Sequence, residues 1–117
     1  MIKNFGRRKL SRTGGHRRSL LRNLATSLFL HEKIETTVAK AKELRVFAEK
    51  LITAAKPLDL NAKKAIFADI QNKDVRKKIF EVIVPRYQER KGGYTQIFKT
   101  SSRVGDDAKM AIIKLIS

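Results

Sequence analysis

Gly92-Gly93 opens the stretch GGYTQIFKTSSRVGDDAKMAIIKLI (residues 92–116), in which two runs of β-favouring residues flank a turn. Two adjacent glycines are a chain-reversal signal. Tyr94-Thr95-Gln96-Ile97-Phe98-Lys99-Thr100 after them predicts a strand, and Val104-Gly105-Asp106-Asp107 predicts a second turn. Met110–Ile116 predicts another strand, with Ala111, Ile113 and Leu115 on one face because side chains alternate along a strand. Two strands joined by a turn make a hairpin, so the chain is not all-helical.

Upstream the period changes. Leu20, Leu24 and Leu28 recur every fourth residue, with Leu21 and Ala25 beside them, and predict an amphipathic helix from His16. Lys33-Ile34-Glu35-Thr36-Thr37-Val38 alternates and suits a short strand able to join the hairpin. Ala41, Leu44, Ala48, Leu51, Ile52 and Ala55 form a second helical stripe, capped by Thr37 and ended by Pro57. Asp59 or Asn61 caps a third helix that turns Ala62, Ala65, Ile66 and Ile70 inward. Asn72 opens a fourth, with Val75, Ile79, Val82 and Ile83 as its stripe until Pro85. The order α-β-α-α-α-β-β predicts an α+β domain, with helices packed on a small three-stranded sheet. Residues 1–14 lack apolar periodicity and read as a basic N-terminal arm, leaving 15–117 as the single domain.

Charge points to the partner. The first 31 residues contain eight Lys or Arg and no Asp or Glu, and the 117-residue chain has 27 basic against 11 acidic residues, a net charge of +16. Counterion release drives such a surface onto phosphate backbones, with affinity that falls as salt rises. No apolar run approaches the roughly 20 residues that span a bilayer, and no apolar segment of signal-peptide type follows the basic start. The helical stripes are narrow and Trp is absent, so a membrane-surface module is disfavoured. An organellar transit peptide is disfavoured by Gly14-Gly15, which is expected to interrupt an amphipathic helix. Cysteine is absent, so thiolate metal sites and disulfides are excluded.

Candidate contacts fall in two clusters. The first comprises Lys3, Arg7, Arg8, Lys9 and Arg12 on the arm, continuing through His16, Arg17, Arg18 and Arg22 onto the first helix. Guanidinium groups bind phosphate in bidentate fashion and stack on bases. The second comprises Arg86, Arg90 and Lys91 beside Tyr87, then Gly92, Gly93 and Tyr94. A Gly-Gly turn presents backbone N–H groups to phosphate, and tyrosine stacks on unpaired bases; the competing reading packs Tyr94 in the core. Lys73, Arg76, Lys77 and Lys78, diluted by Asp74 and Glu81, read as a solvated face. His16 and His31 are too far apart and too poorly supplied with partners for a metal site; His31 suits a helix end, where positive charge is favourable. Asp106-Asp107 reads as a turn rather than a carboxylate pair. No nucleophile elbow or phosphate loop occurs, so neither catalysis, a cofactor nor a small-molecule substrate is expected.

Several blocks, in order, resemble a known family: Gly6-Arg7-Arg8-Lys9-Leu10, His16-Arg17, Arg22-Asn23, Ser27-Leu28, Glu32-Lys33-Ile34-Glu35-Thr36-Thr37, Ala41-Lys42-Glu43-Leu44-Arg45, Gly92-Gly93-Tyr94-Thr95 and Arg103-Val104-Gly105-Asp106. Their succession is similar to the bacterial-type large-subunit ribosomal protein number seventeen family. The family commonly opens with a Met-Arg-His-type stretch, where this chain has Met1-Ile2-Lys3-Asn4-Phe5. The resemblance implies a cytoplasmic, structural ribosomal protein that binds large-subunit ribosomal RNA beside neighbouring large-subunit proteins, on the solvent side near the peptide exit tunnel. It also implies RNA contacts from Arg7, Arg8, Lys9, Arg12, His16, Arg17 and Arg22, a second patch at Gly92, Gly93 and Tyr94, and reach to RNA from Lys42 and Arg45. The rival on charge alone is an architectural DNA- or RNA-binding protein outside the ribosome, although the first helix offers only Arg22 and Asn23 to read base edges.

Overall fold

The computed structural model describes residues 14–117. The elements are α1 (Gly14–His31), β1 (Lys33–Thr37), α2 (Val38–Ala55), α3 (Leu60–Asp69), α4 (Lys73–Lys78), α5 (Val84–Tyr87), β2 (Thr95–Ser102) and β3 (Lys109–Leu115), with a π-helical turn at Ile79–Ile83 joining α4 to α5. Because that joined unit is one continuous helix, the order is the expected α-β-α-α-α-β-β, an α+β domain.

The sheet is antiparallel in the order β1-β3-β2. The late hairpin pairs Ile97 with Ile113, and the early strand pairs Ile34 with the same residue from the other side. Ala111, Ile113 and Leu115 are buried, as the alternation requires, and they face the helices. Ala41, Leu44, Ala48, Leu51, Ile52 and Ala55 supply the buried stripe of α2. Caps sit where predicted: Thr37 accepts from the Lys40 N–H, Asp59 from Ala62, and Asn72 from Asp74 and Val75.

Four details depart from expectation. Gly14 and Gly15, expected to interrupt a helix, lie within α1. Its buried face is Leu21, Ala25, Leu28 and Phe29, with Leu20 and Leu24 only half-buried. A four-residue spacing drifts around a helix of 3.6 residues per turn, so Leu20, Leu24 and Leu28 cannot share one central line. The fourth helix runs through Pro85 to Tyr87. There the Val84 N–H bonds the Ile79 carbonyl five residues back. This wider turn leaves room for a proline ring that has no N–H to donate and would crowd the carbonyl four residues earlier. Val82 falls outside the stripe and is 44% exposed, while Val75, Ile79, Ile83, Val84 and Tyr87 are buried.

Candidate nucleic-acid interface

α1 carries the described part of the first basic cluster. His16 and Arg18 are exposed, and Arg17 and Arg22 are half-buried. Arg22 donates from Nε to Asp69 Oδ1 at 2.8 Å and so ties α1 to the end of α3. Beside this pair lies a cleft of about 400 Å³ lined by Ser19, Arg22, Asn23, Thr26, Asp69, Gln71 and Asn72. Its walls are hydroxyls, amides and one ion pair. Lys3, Arg7, Arg8, Lys9 and Arg12 lie outside the described residues.

The C-terminal end of α1 is held by a charge hub that sequence reasoning missed. Glu32 takes a left-handed φ of 63°, and its carbonyl accepts the Leu115 N–H at 2.9 Å, joining the helix end to the sheet. Its carboxylate receives both arms of Arg86 at 2.6 and 3.2 Å and the Lys78 ammonium at 3.0 Å. Hydrogen bonding from Arg86 foremost, with Lys78 behind it, lowers the Glu32 carboxyl to about 2 despite partial burial. The same bond raises Arg86 above its ordinary value. Lys78 also donates to the Leu30 carbonyl at 3.1 Å, capping α1, so it is not simply part of a solvated face. The available signal was Glu32 itself, the first acid after a long basic stretch, at the junction of helix and strand.

The second cluster is divided by burial. Arg90 and Lys91 are exposed, whereas Arg86 points inward to Glu32. Tyr94 is 1% exposed and packs against Tyr87 with ring centroids 5.1 Å apart. Its hydroxyl bonds that of Thr53 at 3.3 Å, and the Lys56 ammonium sits 4.7 Å from its ring centre. The core reading of Tyr94 is therefore the one realised, and burial takes its ring away from any stacking base. Lys56 and the Tyr94 hydroxyl both donate to the Arg90 carbonyl, and Arg90 donates to the Gly93 carbonyl at 3.3 Å. The Gly-Gly turn is thus fastened from below. Gly92 and Gly93 have φ of 112° and 63°, backbone that side-chain-bearing residues rarely adopt. The space where their side chains would stand is open, which leaves the turn's upper surface accessible.

Lys42 and Arg45 are exposed on α2. They line a groove of about 500 Å³ with Val46, Ile97 and Lys99. Lys99 was not among the expected contacts. Its signal was parity: a lysine in step with Thr95 and Ile97 falls on the helix-facing side of β2. Elsewhere, Asp106 accepts from Arg103 at 2.6 Å and from the Ala108 N–H at 3.1 Å, so the Asp106-Asp107 pair is a turn device. Among the described residues no group of three His, Cys, Asp or Glu side chains stands close enough to hold a metal. Among the described residues no helix is long and apolar enough to cross a membrane.

The family model described as Ribosomal protein L17 matches residues 20–116. The large ribosomal subunit protein bL17 of Endomicrobium trichonymphae is 55% identical over 117 residues, covering 100% of both chains. The bL17 protein of Sulfurimonas denitrificans is 56% identical over 116 residues, covering 99% of this chain and 100% of its own. That of Campylobacter concisus is 52% identical over 117 residues, with 100% and 99% covered. The likeness to relatives therefore extends through the basic arm that the family model leaves out.

Proposed function

The chain belongs to the ribosomal protein L17 family, and on that footing we propose that it is a structural constituent of the large ribosomal subunit that binds large-subunit ribosomal RNA through its basic N-terminal arm and first helix. The observation that carries this reading is a likeness along the whole chain to proteins of the large subunit. The family is structural and non-enzymatic, and its place is the cytoplasmic ribosome of bacteria.

The physical division of labour follows from charge and rigidity. The acid-free residues 1–31 bring guanidinium and ammonium groups to phosphates where RNA segments meet. The Arg22–Asp69 pair holds α1 at its middle and the Glu32 hub at its C-terminal end, so the helix offers its outer side at a fixed angle. Arg18, His16 and the half-buried Arg17 continue the arm's charge along that side. Arg90, Lys91 and the upper surface of the Gly92-Gly93 turn form the second contact. Neighbouring large-subunit proteins are the remaining partners. Recognition rests on RNA shape, 2′-hydroxyls and splayed bases, since little on α1 is suited to reading a linear sequence.

The test replaces Arg7, Arg8 and Arg12 together with Gln and measures binding to large-subunit ribosomal RNA over a range of salt. Each lost phosphate contact should flatten the log–log slope by about 0.7–0.9. An unchanged slope would show that the arm does not bind phosphate. Sedimentation of tagged protein after a salt wash provides the cellular check: co-migration with the large subunit is expected, and migration with chromosomal DNA would favour the architectural rival.

A further inference from the structure

β2 is an edge strand of the sheet. The Ile116 N–H donates to the Tyr94 carbonyl at 2.9 Å, so the polar backbone groups of Tyr94 face β3. Thr95 faces the other way, its N–H and hydroxyl donating to Glu49 Oε2 on α2 at 3.3 and 3.0 Å. In an antiparallel strand this direction alternates residue by residue. The N–H and C=O of Ile97, and the N–H of Lys99 just before the register shift between Lys99 and Ser102, therefore project off the free edge with those of Thr95.

Beside this edge lies the groove lined by Lys42, Arg45, Val46, Ile97 and Lys99. It contains three cations above an apolar floor. At Val46 it meets a second groove of about 450 Å³, where Lys50 and Thr53 lead to Gly92. Glu49 is the one carboxylate lining either groove among the described residues; its Oε2 accepts from Thr95 and lies 3.8 Å from the Arg45 Nε, so it offsets part of the Arg45 charge and leaves Lys42, Lys50 and Lys99 as the cations without a carboxylate in the grooves. The trough therefore joins the strand edge to the Gly-Gly turn with cations along its length.

We propose that the α2–β2 trough is a ribose-phosphate site, in which one strand of ribosomal RNA lies along the free edge of β2. This deepens the RNA-binding reading and rests on it. Phosphates meet Lys42, Arg45 and Lys99, and the edge N–H groups donate to phosphate oxygens. The edge carbonyls accept from ribose 2′-hydroxyls, a donor that RNA has and DNA lacks. The apolar floor takes the sugar faces. An added protein strand would use the same edge, but a lysine on an edge strand, here Lys99, discourages strand pairing, and the same lysine attracts a polyanion.

The experiment uses the full chain and a transcript of the large-subunit ribosomal RNA. Lys42→Gln, Arg45→Gln and Lys99→Gln are combined, and the slope of binding against salt is compared with that of the parent and the arm variant. Three lost contacts should flatten the slope by about 2–3 in total, with the circular dichroism spectrum unchanged because all three side chains are exposed. Hydrogen exchange is measured in parallel, and the amides of Ile97 and Lys99 should slow when RNA is bound. A parent-like slope in the trough variant, with a flattened slope in the arm variant, would overturn the trough while leaving the arm reading intact. No RNA binding by the parent would overturn both. Edge amides that slow only when another ribosomal protein is added would assign the edge to a protein strand and overturn the proposal.

Discussion

At the residue scale, Glu32 shows how one carboxylate organises a chain that is otherwise strongly basic. Two cations from the fourth helix converge on it, and its carbonyl joins the sheet. Its carboxyl is lowered in the folded state from an ordinary 4.5 to about 2. The ionised form is thus favoured by folding, and the stabilisation is complete above pH 4.5 and is lost as pH falls toward 2. Allowing for the screening of a carboxylate that is one-third exposed, Glu32→Gln should cost about 1–2 kcal/mol near neutral pH. Urea titrations at stepped pH should show the gap between parent and variant closing through that acid window. A gap that persists unchanged at the acid end would mean that the hub contributes through shape alone.

At the scale of elements, the helix from Lys73 to Tyr87 is instructive, because a proline at position 85 normally marks an end. The π turn moves the hydrogen bonds so that the rod survives. The wider turn also shifts the angular position of side chains within and beyond it, so that Val82 faces water while Ile83, Val84 and Tyr87 face the core. Ile79→Ala should cost about 3 kcal/mol, since the residue is fully buried and its loss leaves a cavity. Val82→Ala should cost less than about 0.5 kcal/mol. Equal costs for the two in chemical denaturation would mean that the regular α-helical stripe had been the better description. Caps, by contrast, were legible in advance: Thr37, Asp59 and Asn72 each needed only a short polar side chain before an apolar period.

At the scale of the whole molecule, a charge of +16 on 117 residues sets two opposing responses to salt. Screening relieves self-repulsion in the free protein and weakens its attraction to RNA. Raising sodium chloride from about 0.05 to 0.5 M, across which the Debye length shrinks severalfold, should raise the melting temperature of the free protein while RNA affinity falls. A melting temperature that falls instead would mean that internal ion pairs, chiefly those at Glu32 and Asp69, outweigh the net repulsion.

Fold class, element order and the expectation of a polyanionic partner follow from local chemistry along the chain. Apolar period distinguishes helix from strand, small polar residues mark the caps, and an unbroken run of one charge sign attracts the opposite sign wherever the chain places it. Tertiary structure alone decided which cations remain available. Arg22 and Arg86 read the same as Arg18 and Arg90 in sequence, yet the first two meet Asp69 and Glu32 across separations of 47 and 54 residues. Tyr94 turned inward for a similar reason, because Tyr87 and Thr53 stand beneath it. The groove beside β2 exists only because folding brings α2 next to a strand formed nearly half a chain later. Period, capping and net charge are sums over neighbours in sequence, whereas the occupation of a charge or an edge depends on what folding brings across the gap.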